Sequence, residues 1–97
     1  MTTMWIFSAT KKELKKYFLG GESWDEFLIR MERTTRLTMK RTEVQPRPAD
    51  TDSTSIWVST ETRITLNSLR RVDETEALFF KRLLKAVEIS DVPKNQN

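Results

Sequence analysis

Thr54-Ser55-Ile56-Trp57-Val58-Ser59 is the stretch on which the fold turns. Its side chains alternate with a period of two, which places Ile56 and Val58 on one face of a strand and Ser55, Trp57 and Ser59 on the other. A helix start follows at Thr60-Glu61-Thr62, and helical spacing runs to about Arg71 with Leu66 and Leu69 inward. The pattern breaks near Val72-Asp73 and restarts at Thr75, where Leu78, Phe79, Phe80, Leu83, Leu84 and Val87 mark a last helix.

The same order of events opens the chain. Thr3-Met4-Trp5-Ile6-Phe7-Ser8 reads as a strand with Met4 and Ile6 inward and Thr3, Trp5 and Phe7 outward. A helix is expected from Ser8 or Thr10, where Thr10 with Glu13 fits a capping box. Leu14, Tyr17 and Phe18 share its apolar face, Lys11, Lys12, Lys15 and Lys16 cover the rest, and Gly20-Gly21 ends it. Ser23 with Glu26 opens a second helix carrying Phe27, Leu28 and Met31.

Between the two halves the periodicity fades, and Gln45-Pro46-Arg47-Pro48-Ala49-Asp50-Thr51-Asp52-Ser53 has the composition of a linker. Leu37 and Met39 are expected to extend the preceding helix by a turn or so. A run of about 20 residues spans up to roughly 65 Å, enough to return the chain anywhere on so small a body.

A shift of 52 positions lays the halves on each other without a gap. Trp5 meets Trp57, Thr10 meets Thr62, Leu14 meets Leu66, Glu22 meets Glu74, Phe27 meets Phe79 and Arg30 meets Arg82. The matches fall on core and capping positions, as a duplication requires. One copy leaves strand edges unpaired and an apolar stripe uncovered; two can pair their strands antiparallel and close four helices over one face. The expected architecture is mostly α with a two-stranded antiparallel β-ribbon and pseudo-twofold symmetry, built from two β-α-α repeats in one chain. The expected organisation is a single domain over 1–97: a first repeat at 3–33, a linker at 34–53, a second repeat at 54–89 and a flexible tail at 90–97.

Composition narrows the chemistry. With 97 residues the core is limited, and 32% charged residues imply an extensive wet surface. The net charge of +3 permits nucleic-acid binding without demanding it. Cysteine and histidine are both absent, which removes disulfides, thiolate metal sites and the usual general base. No catalytic constellation, metal site or cofactor is expected. No signal peptide or membrane-length apolar run is visible, so the expected compartment is the cytoplasm.

Ile56-Trp57-Val58-Ser59-Thr60-Glu61-Thr62 with Leu66 and Leu69, then Asp73-Glu74-Thr75 leading into Phe79-Phe80-Lys81-Arg82-Leu83-Leu84, resembles the ribbon-helix-helix family of DNA-binding proteins. The first half resembles it through Gly20-Gly21-Glu22-Ser23-Trp24-Asp25-Glu26-Phe27-Leu28-Ile29-Arg30-Met31. That family includes small regulators and antitoxins that dimerise to form the ribbon, so a fused pair would replace the dimer. The resemblance implies a transcriptional regulator whose ribbon face, here Thr3, Trp5, Phe7, Ser55, Trp57 and Ser59, enters the major groove of double-stranded DNA. It implies phosphate contacts from the helix starts at Ser23 and Thr75, and Lys11, Lys12, Lys15 and Arg63 add basic surface. The chain would be a monomer with internal pseudo-symmetry, able to self-associate on DNA.

Two other features stay open at this level. A face carrying Trp5, Phe7 and Trp57 also suits a protein partner, which would make the chain an interaction module of antitoxin or adaptor type. A one-residue slip would bury the tryptophans and expose Met4, Ile6, Ile56 and Val58. The acids at the helix starts, Glu22, Asp25, Glu26, Asp73, Glu74 and Glu76, favour the helix dipole but repel phosphate.

Overall fold

Period-two alternation makes the two strands, and period-3.6 spacing makes everything else. The computed structural model describes residues 1–48 and 50–94; Ala49 and the final three residues of the expected tail lie outside the described residues. The element order is β1 (Thr2–Phe7), α1 (Ser8–Lys15), α2 (Trp24–Arg41), β2 (Ser53–Val58), α3 (Thr60–Leu69) and α4 (Glu76–Ile89). β1 and β2 pair antiparallel as a two-stranded sheet, with Thr3 opposite Trp57, Met4 opposite Ile56, Trp5 opposite Ser55 and Phe7 opposite Ser53. Met4, Ile6, Ile56 and Val58 are all buried, so the slipped register does not occur. A slip would have moved four apolar side chains into water, at roughly 1.5–3 kcal/mol each for the larger ones.

The ribbon packs on the helices through one core. Met4, Ile6, Ile56 and Val58 meet Leu14, Phe27, Leu28, Met31, Leu66, Phe79, Phe80 and Leu83 there. α4 is the hub, since it packs on α2, α1 and β1 and buries Phe79, Phe80, Arg82, Leu83, Ala86 and Val87. Trp24, the third tryptophan, sits edge-on to Phe18 with centroids 4.7 Å apart and belongs to the rim of this core.

Helix ends depart from expectation in several places. α1 has Phe7 at its N-cap with no side-chain cap bond, and Thr10 is buried rather than part of a capping box. The glycines do not end α1, which stops at Lys15; Gly21, at φ 76°, shapes the following turn. α3 ends at Leu69. α2 continues to Arg41, so residues 34–41 of the stretch read as linker are helix, and the irregular connection is described at residues 42–48 and 50–52.

Hydroxyls cap the other three helices. Ser23 Oγ accepts from Glu26 N–H at 3.2 Å while Glu26 accepts from Ser23 N–H at 3.1 Å, the reciprocal box expected from the sequence. Thr75 and Ser59 cap α4 and α3 in the simpler one-way form. Ser23→Ala is expected to cost about 1 kcal/mol, read as a lower urea midpoint at unchanged slope.

The two halves share a set of polar contacts at the 52-residue offset. Arg30 bonds Glu22 at 2.8 Å and donates to Tyr17 O at 2.9 Å. Arg82 bonds Glu74 at 2.8 Å and donates to Leu69 O at 3.1 Å. Glu22 accepts from Leu19 N–H and Glu74 from Arg71 N–H, both at 3.1 Å. The guanidinium carbons lie 5.6 and 5.5 Å from the rings of Phe27 and Phe79. Helices α3 and α4 begin 52 positions after α1 and α2. Only Arg82 makes a further bond, to Met39 O at 2.7 Å, and its side chain is 3% exposed against 31% for Arg30.

The connection between the halves is held along α4. Lys85 donates to Glu43 O at 2.9 Å, Lys81 donates to Gln45 O at 2.8 Å, and Lys81 also pairs with Asp50. No helix among the described residues is long and apolar enough to cross a membrane.

Candidate nucleic-acid interface

Because successive strand side chains point to opposite faces, burying Met4, Ile6, Ile56 and Val58 forces their neighbours outward. Trp5 is 57% exposed and Trp57 62%. Thr3, Phe7 and Ser55 are half-buried on the same face, and Ser53 is exposed. Trp5 lies opposite Ser55 and Trp57 opposite Thr3, so the indoles occupy diagonal positions, with backbones about 7–8 Å apart across the ladder.

Ser59 does not belong to this face. β2 ends at Val58, and Ser59 turns out of the ladder to accept from Thr62 N–H at 3.1 Å as the N-cap of α3. Its own N–H donates to Asp25 at 2.9 Å. The place opposite Phe7 is filled by Ser53, which the reading from Thr54 missed because a serine before a threonine-rich run carries no strand signal.

Most of the acids at the helix starts are bound to groups of the protein itself. Glu22, Glu26 and Glu74 each accept a backbone N–H in the turn they open, at 3.1 Å. Asp25 holds Ser59 N–H, and Glu76 holds Trp5 N–H at 3.1 Å, which closes part of the outer edge of β1. Arg30 and Arg82 neutralise Glu22 and Glu74, and Arg63 lies 3.8 Å from Glu76. Five of the six carboxylates that would repel a phosphate are thus engaged within the protein.

The basic groups stand differently. Lys12 and Lys15 are exposed and Lys11 half-buried, and none of the three enters an ion pair among the described residues. Lys16 is spent on Glu13 at 2.9 Å. Arg63 is exposed and donates to Thr2 Oγ1 at 3.0 Å, which places its guanidinium beside the start of the ribbon. Ser23 and Thr75 accept from N–H groups through their hydroxyl oxygens, and each hydroxyl keeps its own proton to donate. No family model, curated protein or solved structure matches the chain.

No group of three or more potential metal-ligating side chains occurs among the described residues. The ion pairs do set an acid limit. The Arg30 hydrogen bonds hold the Glu22 carboxyl below its usual 4.5, against the push of burial. Burial pushes Glu74 up, but the Arg82 hydrogen bond, helped by Arg71 N–H, overcomes it and the net direction is down. The Lys81 hydrogen bond lowers Asp50 from its usual 3.8. Carboxyls depressed in the folded chain contribute stability that is complete above their unfolded values and is lost as pH falls through the folded ones. The melting midpoint is therefore expected to be flat near neutrality and to fall once pH drops below about 4.5, with Glu74→Gln losing part of that slope.

Proposed function

We propose that the chain is a tandem ribbon-helix-helix protein, two β-α-α copies related by a pseudo-twofold, that regulates transcription by laying its ribbon in the major groove of double-stranded DNA. The observation that carries this reading is the antiparallel ribbon with its outward face free of the core, Trp5 and Trp57 both more than half exposed. The major groove, about 12 Å wide, admits a two-stranded ribbon. The contacts repeated at the 52-residue offset, from Arg30 and Arg82 to Glu22 and Glu74, support the duplication.

In this reading Thr3, Trp5, Phe7, Ser53, Ser55 and Trp57 face the bases. Lys11, Lys12, Lys15 and Arg63 meet phosphates, and the Ser23 and Thr75 hydroxyls and the first amides of α2 and α4 hold the backbone in register. Arg30, Arg82 and Arg63 offset the charge of Glu22, Glu74 and Glu76 and so lower the repulsion at the helix starts, while Asp25, Glu26 and Asp73 keep theirs.

Fluorescence anisotropy on a duplex of the chain's own upstream region, beside a random-sequence duplex, tests it. Four cationic phosphate contacts, from Lys11, Lys12, Lys15 and Arg63, imply a loss of roughly 10² in affinity between 50 and 200 mM salt. Replacing Lys11, Lys12 and Lys15 by alanine should lower the salt slope by about 3. No binding to any duplex at low salt would falsify the proposal.

A second reading draws on the same two indoles. Large exposed aromatics are common anchors of protein interfaces, so an antitoxin or adaptor module would bind a protein through Trp5, Phe7 and Trp57. It predicts a stoichiometric complex that survives high salt and is insensitive to the lysine replacements.

A further inference from the structure

The outward ribbon face bears two indoles, one phenyl ring and the hydroxyls of Thr3, Ser53 and Ser55, with no guanidinium, ammonium, carboxamide or carboxylate among them. That chemistry restricts what the face can read. Guanine is distinguished by bidentate Arg or Lys, adenine by Asn or Gln, and cytosine by an acid at its amino group. None of these is present on either strand. Serine and threonine hydroxyls serve several base edges and discriminate weakly. The remaining distinctive group in the major groove is the C5 methyl of thymine, which is read by apolar contact.

Resting on the DNA-binding reading above, we infer that the protein selects its site by thymine methyl groups, Trp5 and Trp57 each packing against one, on opposite DNA strands. The register supports this pairing. Trp5 and Trp57 lie diagonally about the Met4–Ile56 pair, on antiparallel strands, so they present the same surface to the two strands of a duplex. Their backbone separation of about 7–8 Å corresponds to roughly two base-pair steps of 3.4 Å. Lys11, Lys12 and Lys15, which enter no ion pair among the described residues, supply the opposite charge that a duplex requires and a neutral apolar partner does not.

Selection of duplexes from a random pool by the full chain tests this. The bound duplexes are expected to share two thymines, one on each strand, about two steps apart. Deoxyuridine at those positions removes only the methyl groups. Each replacement should weaken binding about fourfold and the pair about fifteenfold, at unchanged salt dependence. The variant Trp5→Ser/Trp57→Ser, whose two changes lie outside the core, should bind the thymine and deoxyuridine duplexes equally. Equal affinity of the unmodified protein for both duplexes, with salt-dependent binding intact, overturns methyl selection and leaves the DNA-binding reading standing. Absence of duplex binding at low salt overturns both.

Discussion

Replacing Arg82 by alanine should destabilise the fold by about 3–5 kcal/mol, the range seen when one partner of a buried ion pair is removed. The side chain is 3% exposed and serves three groups at once: the Glu74 carboxylate, Met39 O at the end of α2 and Leu69 O at the end of α3. Alanine leaves Glu74, itself 8% exposed at the side chain, charged and without its main partner, takes the guanidinium from Leu69 O, and leaves Met39 O with only the Thr42 N–H at 3.3 Å. A small domain has about 5–15 kcal/mol in all, so the variant should sit near the edge of folding. Arg30→Ala removes the matching pair in the other half at a position 31% exposed, with one carbonyl instead of two. Glu22 is as covered as Glu74, at 9%, but the Arg30 side chain that leaves is itself partly in water, so solvent can enter its place, and the cost should be nearer about 1–2 kcal/mol. Urea unfolding followed by circular dichroism separates the two. Equal losses would mean that the bond to Met39 O carries nothing. Converting Arg82 and Glu74 together to Met and Leu should recover much of the loss, because the penalty lies in the orphaned charge.

This arginine also explains which parts of the fold were readable. The ribbon register was legible because a period of two admits only one choice that buries Met4, Ile6, Ile56 and Val58 together. The caps at Ser23 and Thr75 were legible because they act within four residues. Helix ends were not, because distant groups set them. α1 gives way after Lys15 to bonds three residues back, from Tyr17 N–H to Leu14 O and Phe18 N–H to Lys15 O, in a turn whose Tyr17 O is held by Arg30, and α3 stops at Leu69, whose carbonyl is taken by Arg82. α2 runs through Thr34-Thr35-Arg36-Leu37-Thr38, poor helix formers in part. It persists because Met31, Thr35 and Met39 are buried along one face of it and Arg82 holds the Met39 carbonyl. The acids at the helix starts gave the same difficulty. Charge was visible in the sequence, but the amides of Ser59 and Trp5 that occupy Asp25 and Glu76 lie 34 and 71 residues away.

The variant Trp5→Ser/Trp57→Ser should lose about 100-fold in affinity for a specific duplex while melting at the temperature of the unmodified protein. Each indole offers a large apolar surface, and at 57% and 62% exposure most of it is in water before binding. Covering part of that surface against base edges is worth about 1–2 kcal/mol per residue at 25 cal/mol per Å², or roughly tenfold each. The fold should not register the change, because neither ring belongs to the core cluster. The salt slope should also hold, since it counts phosphates and the lysines are untouched. The Lys11, Lys12 and Lys15 replacements should do the reverse, lowering the slope while leaving the preference among sequences intact. Tryptophans and lysines would then act on separate observables, as they must if the ribbon reads bases and the first helix holds the backbone. Should the tryptophan variant keep full duplex affinity yet release a bound protein, the aromatic face would belong to that protein and the lysines alone to DNA.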